Sequence, residues 1–106
     1  MEYKFETIKS HIESSINKTA EDGWRVVGFS EVVIFGSGVR WEVIYKRDSN
    51  WRETRERYEY KRVGGRNHIL STIEEYERRG WRFVSFSNST TLGSSTSFDL
   101  IFERTY

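Results

Sequence analysis

The chain has 106 residues, 17 Lys and Arg against 16 Asp and Glu, and a mean hydropathy of -0.72, which is the size and polarity of one soluble domain. It lacks the run of about 18 to 20 apolar residues that a membrane helix needs. With no cysteine it excludes disulfides, thiolate catalysis and sulfur-ligated metal. A formal net charge of +1 supplies no overall basic field for nucleic acid, so that partner is not expected. Met1-Glu2-Tyr3-Lys4 lacks the basic-then-apolar layout of a signal peptide, and a cytoplasmic protein is expected. Aromatic residues make up 16% of the chain, enough large rings to build a core in so small a protein.

Taken in order, residues 3–7 form a short β-prone run. A helical stretch follows in which Ile8, Ile12 and Ile16 recur four apart, and Gly23 stands just past it, where a left-handed residue ends a helix without steric cost. A strand over 24–34 comes next, then a Gly36-Ser37-Gly38 hairpin loop. In the strand over 39–46, Val39, Trp41, Val43 and Tyr45 alternate with Arg40, Glu42 and Lys46. Residues 48–58 are a junction, in which Asn50 and Glu53 suit the cap of a short helix and an extended linker is the alternative.

The pattern then returns. Residues 60–63 are β-prone, Ile69, Ile73 and Tyr76 keep a helical stripe, and Gly80 ends it. Strands over 81–87 and 97–103 flank a Gly93-Ser94-Ser95 loop. Slid so that Glu2 meets Glu59, residues 2–47 align with 59–104 without a gap, and more than a third of the positions are identical. The matches include Glu-Tyr-Lys, His11/His68, Ile12/Ile69, Ile16/Ile73, Gly-Trp-Arg at 23–25 and 80–82, and Arg47/Arg104. This is the mark of an in-line duplication. The expectation is a single α+β domain over 1–106 built from two β-α-β-β repeats, 2–47 and 59–104, with about six strands in one mostly antiparallel sheet and two helices on one face.

Each half resembles a family of small bacterial and phage domains of unknown function. Their pattern runs Tyr-Glu-Tyr-Lys, helix, Gly-Trp-Glu-Leu-Val, and a closing strand ending in Lys-Arg. The resemblance rests on Tyr3-Lys4, Gly23-Trp24, Val27 and Lys46-Arg47, then Tyr58-Glu59-Tyr60-Lys61, Gly80-Trp81, Val84 and Arg104. The family's acid after Trp is Arg25 and Arg82 here. The resemblance implies a fold and a bacterial or phage origin, and no activity.

Trp24 and Trp81 open strands beside a glycine, where packing is the stronger reading and ring stacking the weaker. His11 and His68 have no ligand-spaced companions, so no metal or cofactor is expected. The carboxylates stand among basic neighbours in i, i+4 pairs such as Glu74 and Arg78, without a tuned acid/base pair, and an enzyme is the least favoured class.

Two features point to binding. The strands after each helix are apolar on both faces, Trp24 and Val26 against Val27 and Phe29, so a homo-oligomer is expected. Arginines recur beside aromatic rings and small hydroxyls, the groups that recognise phosphate, base and polar edge. The favoured reading is a non-enzymatic binder of a small anionic ligand, a nucleotide above all, of the kind by which phage proteins sequester nucleotide immune signals. Arg47, Arg82 and Arg104 would hold phosphate, Phe83 or Trp51 would stack a base, and Asn88, Thr91 and Ser95 would read polar edges. The alternatives are a protein-interaction module or inhibitor docking through an aromatic sheet face, and a binder of single-stranded nucleic acid, which the near-neutral charge disfavours.

Overall fold

The computed structural model describes the chain except for positions 35, 37, 54, 90–96 and 106, and describes no side chain at 34, 53 and 89. Thr91, Ser95 and most of the two expected hairpin loops lie outside the described residues. The elements run β1 (Glu2–Ile8), α1 (Ile12–Ala20), β2 (Arg25–Ile34), β3 (Gly38–Arg47), β4 (Glu56–Val63), α2 (Ile69–Arg78), β5 (Arg82–Ser89) and β6 (Ser97–Thr105). Ile8 closes β1 rather than opening the helix. The junction contains one turn of 3-10 helix, Trp51–Glu53, and a second, Arg66–His68, leads into α2.

The strands do not form one six-stranded sheet. They form two antiparallel three-stranded sheets, ordered β1-β3-β2 and β4-β6-β5, so the two halves share one element order and one strand order. Nor do the helices share a face. The burial of β6 shows why: residues 98–103 are all buried, on both sides of the strand. Register places Tyr58, Tyr60 and Arg62 opposite Glu103, Ile101 and Asp99 on one side of the second sheet. Phe98, Leu100 and Phe102 stand on the other. On the first side Tyr58 and Ile101 join a core with Ile12, Ile16 and Ala20 of α1 and Val26, Phe29, Val43 and Tyr45 of the first sheet. On the second side Leu100 and Phe102 pack with Tyr76 of α2, whose ring stacks on Phe102 at 4.0 Å between centroids. The second sheet is therefore the middle layer, between the first sheet with α1 and the lone α2. Too little apolar surface is available in either half to close its own core.

Helix α1 also shields a strand edge. β4 ends its sheet, and its outer backbone groups would otherwise be open for pairing. Asn17 donates through Nδ2 to the Tyr58 carbonyl at 2.9 Å and accepts from the Tyr58 N–H at 2.7 Å, while Glu13 accepts from the Tyr60 N–H at 2.9 Å. These side chains take the place of a fourth strand.

The apolar pattern of β2 is resolved by a bulge. Pairing with β3 shifts between Val26 and Gly28, so Val26 and Phe29 face the same side and are both buried, while the extra residue Val27 is exposed. A strict two-residue alternation puts them on opposite faces. β5 shifts in the same way between Phe83 and Ser85, turning Val84 toward the first core.

Candidate functional site

Two buried carboxylates organise the space between the sheets. Glu103 accepts from Tyr58 Oη at 2.5 Å, Arg25 Nη2 at 2.9 Å and Arg82 Nη2 at 2.8 Å, and Tyr58 Oη in turn accepts the Val26 N–H at 2.9 Å. Two residues along β6 from Ile101, Asp99 accepts from Tyr60 Oη at 2.5 Å, Arg62 Nε at 2.9 Å and Trp41 Nε1 at 3.4 Å. Burial alone would raise both carboxyls, but hydrogen bonds outweigh it: those from Arg25, Tyr58 and Arg82 hold Glu103 below its ordinary range, and a network including Glu31, Arg62 and Tyr60 lowers Asp99. Burial, with the hydrogen bond to its carboxylate, pushes each tyrosine up instead. These phenols stay protonated donors, and the arrangement ties sheet to sheet without exposing a base or nucleophile.

The expected phosphate-binding arginines are distributed by this scheme. Arg82 lies in the Glu103 cluster, where it also meets Glu56 at 3.1 Å and Thr105 at 2.8 Å. Arg104 lies over the Trp81 ring, 4.5 Å from guanidinium carbon to centroid, and donates to the Arg79 carbonyl. Phe83 and Asn88 are exposed on the α2 side of β5, opposite Phe102 and Phe98. Arg47 and Trp51 are brought into contact. Arg47 is inserted between the indoles of Trp24 and Trp51 at 4.4 and 4.9 Å, with Arg52 at 4.5 Å from the Trp51 ring. Arg47 also pairs with Glu2 at 2.8 Å and donates to the Asp22 carbonyl at 3.1 Å. Trp24 and Trp81 each pack against a core cluster and carry an arginine, which joins the packing reading to a cation–π role.

Among the described residues one concavity lies between β1 and α1, and another of about 490 Å³ is lined by Asn17, Glu21, Arg55, Glu56 and Arg57. The first has a volume of about 460 Å³, in the range of small-molecule sites. Lys4, Lys9 and Lys18 line it together with Ser10 and Ser15, while the Thr19 hydroxyl donates to Glu6 and the alternation of β1 turns the Thr7 side chain to the opposite face of the sheet. Its acids are Glu6 and Asp22. Glu6 is turned inward, accepting from Tyr45 Oη at 2.7 Å and from Thr19 Oγ1 at 3.1 Å. One end, at Lys4 and Asp22, abuts the Trp24–Arg47–Trp51 stack, since Lys4 Nζ stands 5.7 Å from the Trp24 ring. Sequence reasoning passed over these lysines because they stand on two different elements and follow no local spacing. The usable signal was the polar run Lys9-Ser10-His11 at the strand–helix turn.

Among the described residues, nothing covers the outward face of the first sheet around Tyr3, Phe5 and Ile44. Tyr3, Phe5 and Ile44 are 69%, 60% and 46% exposed, and Gly28 faces Ile44 across the strands, leaving a shallow notch. Among the described residues, no cluster of three or more His, Asp and Glu is placed to hold a metal, and no helix is long and apolar enough to cross a membrane. This is an α+β protein of two three-stranded antiparallel sheets and two helices. Comparison with protein-family models, with curated proteins and with solved structures found no match.

Proposed function

We propose that the chain is a non-enzymatic, cytoplasmic binder of a small phosphate-bearing ligand, a nucleotide above all, held in the groove between β1 and α1, and that its halves are copies of one β-α-β-β unit. The observation that carries the ligand is the lining of one groove by Lys4, Lys9 and Lys18 with Ser10 and Ser15, its glutamate engaged by Tyr45 and Thr19. Ammonium groups act as point charges for phosphate, and hydroxyls complete its donor set. Sequestration of such a ligand needs no general base. Thermal denaturation against a panel of mono-, di- and cyclic nucleotides tests the proposal. A ligand at about 100 times its Kd adds about 2.7 kcal/mol of stability. Lys9→Glu and Lys18→Glu are expected to abolish the shift and Arg104→Ala to leave it intact. A flat panel at millimolar ligand refutes the reading, and a shift lost only in Arg104→Ala returns the site to the arginines.

A second reading, a protein-docking module, is favoured by one specific observation: Tyr3, Phe5 and Ile44 form a contiguous exposed patch on a sheet face that no element covers among the described residues.

A further inference from the structure

We propose that two copies of the chain associate through antiparallel pairing of their β1 strands, in the register that sets Phe5 against Phe5, joining the two first sheets into one six-stranded sheet. The proposal does not rest on the ligand reading, although Lys4 serves in both; it assigns an occupant to the open edge of β1.

β1 is the end strand of its sheet, bonded to β3 on one side, and its residues 2–5 are all exposed. By contrast, the corresponding edge of the second sheet is shielded by Asn17 and Glu13 of α1. A seven-residue strand with one side open is a template for another strand. An identical strand meets this edge with one interface, because a twofold axis satisfies both copies at once.

The sequence of β1 selects the register. A twofold axis perpendicular to the sheet keeps every side chain on its own face, so only registers centred on a residue are allowed. Centring on Phe5 is the one choice that pairs all of β1, from Glu2 against Ile8 to Ile8 against Glu2. It sets Lys4 against the partner copy's glutamate at position 6 twice over, and Tyr3 against threonine at position 7. Sliding to a Lys4 centre opposes lysine to lysine and Glu2 to glutamate, and a Glu6 centre opposes glutamate to glutamate. Opposite charges across a strand pair stabilise it and like charges oppose it. Glu6 retains acceptor capacity while holding Tyr45 and Thr19, since an ionised carboxylate has about four lone-pair sites. On the outward face the pairing brings the two copies of Phe5 together at the axis, extending the Tyr3–Phe5–Ile44 patch into one stripe.

Light scattering on the wild-type chain, from micromolar to millimolar, is expected to give a dimer. Phe5→Lys and Phe5→Glu are each expected to be folded monomers by circular dichroism, because Phe5 is exposed, and their equimolar mixture to recover the dimer as a heterodimer. Lys4→Glu is expected to weaken association by roughly tenfold or more. Because the chain has no cysteine, Phe5→Cys is expected to form a disulfide-linked dimer on oxidation, Cα separations in such strand pairs matching those of disulfides. A wild-type monomer throughout the range overturns the proposal. So does a dimer that ignores both Phe5 substitutions and does not cross-link at position 5.

Discussion

Glu103 stands where three donors meet, and the balance of forces on it is one-sided. A buried carboxylate with Tyr58, Arg25 and Arg82 around it is stabilising only while it is ionised. Removing its charge by Glu103→Gln leaves two guanidiniums and a phenol poorly matched, at a cost of about 1–3 kcal/mol in chemical denaturation near neutral pH. The pH dependence follows from the same geometry. The folded carboxyl is held below its ordinary value of 4.5, so the unfolded chain takes up its proton first as pH falls. The stabilisation is complete above the ordinary value and drains away as pH drops through the lowered one. The gap between wild type and Glu103→Gln is therefore expected to shrink below about pH 4, and a gap constant across the acid range would contradict this role. Little of this was legible in the sequence. Asp99 and Glu103 alternate with Phe98, Leu100 and Phe102 along β6, and burial of the strand on both sides turns them into internal anchors. The basic residues of the sequence were countable, but the carboxylate that engages Arg82 lies across the sheet, and no local spacing reveals it.

At the scale of the element, the helices, their glycine ends and the β3 alternation were readable because each is a local preference. Gly23 adopts a φ of 86°, and a Cβ there would collide with the Trp51 ring. Gly23→Ala is expected to cost roughly 2 kcal/mol or more, from left-handed strain and the clash together. Gly28 has open space where a Cβ would go, and Gly28→Ala is expected to change stability by less than about 1 kcal/mol. Thermal melts of the two variants side by side check the contrast. The bulges were not readable, since one inserted residue reverses face assignment without leaving a compositional trace. The edge-shielding role of α1 was equally hidden, because Asn17 looks like a solvent residue on a polar helix face. Asn17→Ala removes both of its bonds to Tyr58 and is expected to cost about 1–3 kcal/mol. Hydrogen exchange at the Tyr58 amide should accelerate in this variant relative to amides inside β6, and unchanged exchange would show that the edge is protected by something else.

For the whole molecule, the sequence conveyed the six strands, two helices and antiparallel pairing, and misplaced how they assemble. A continuous sheet with both helices on one face is the simplest closure of two similar halves. The chain instead places the second sheet in the middle, because β6 is apolar enough on one side for α2, while Tyr58, Tyr60 and Ile101 suit the first core on the other. The groove beside β1 and α1 is lined by residues of the first half alone. The Trp24–Arg47–Trp51 stack lies at one end of this groove, and the lysines that line it stand too far apart in the chain to form a local pattern.

The central claim is that an anionic ligand is held between β1 and α1. The most direct measurement is a nuclear magnetic resonance titration of the isotope-labelled chain with a nucleotide triphosphate and, separately, inorganic phosphate. Saturable shifts concentrated at the amides of Lys9, Ser10, Ser15, Lys18 and Thr19 are the predicted result. No shifts at millimolar ligand, or shifts confined to Arg82, Phe83, Asn88 and Arg104, would contradict it.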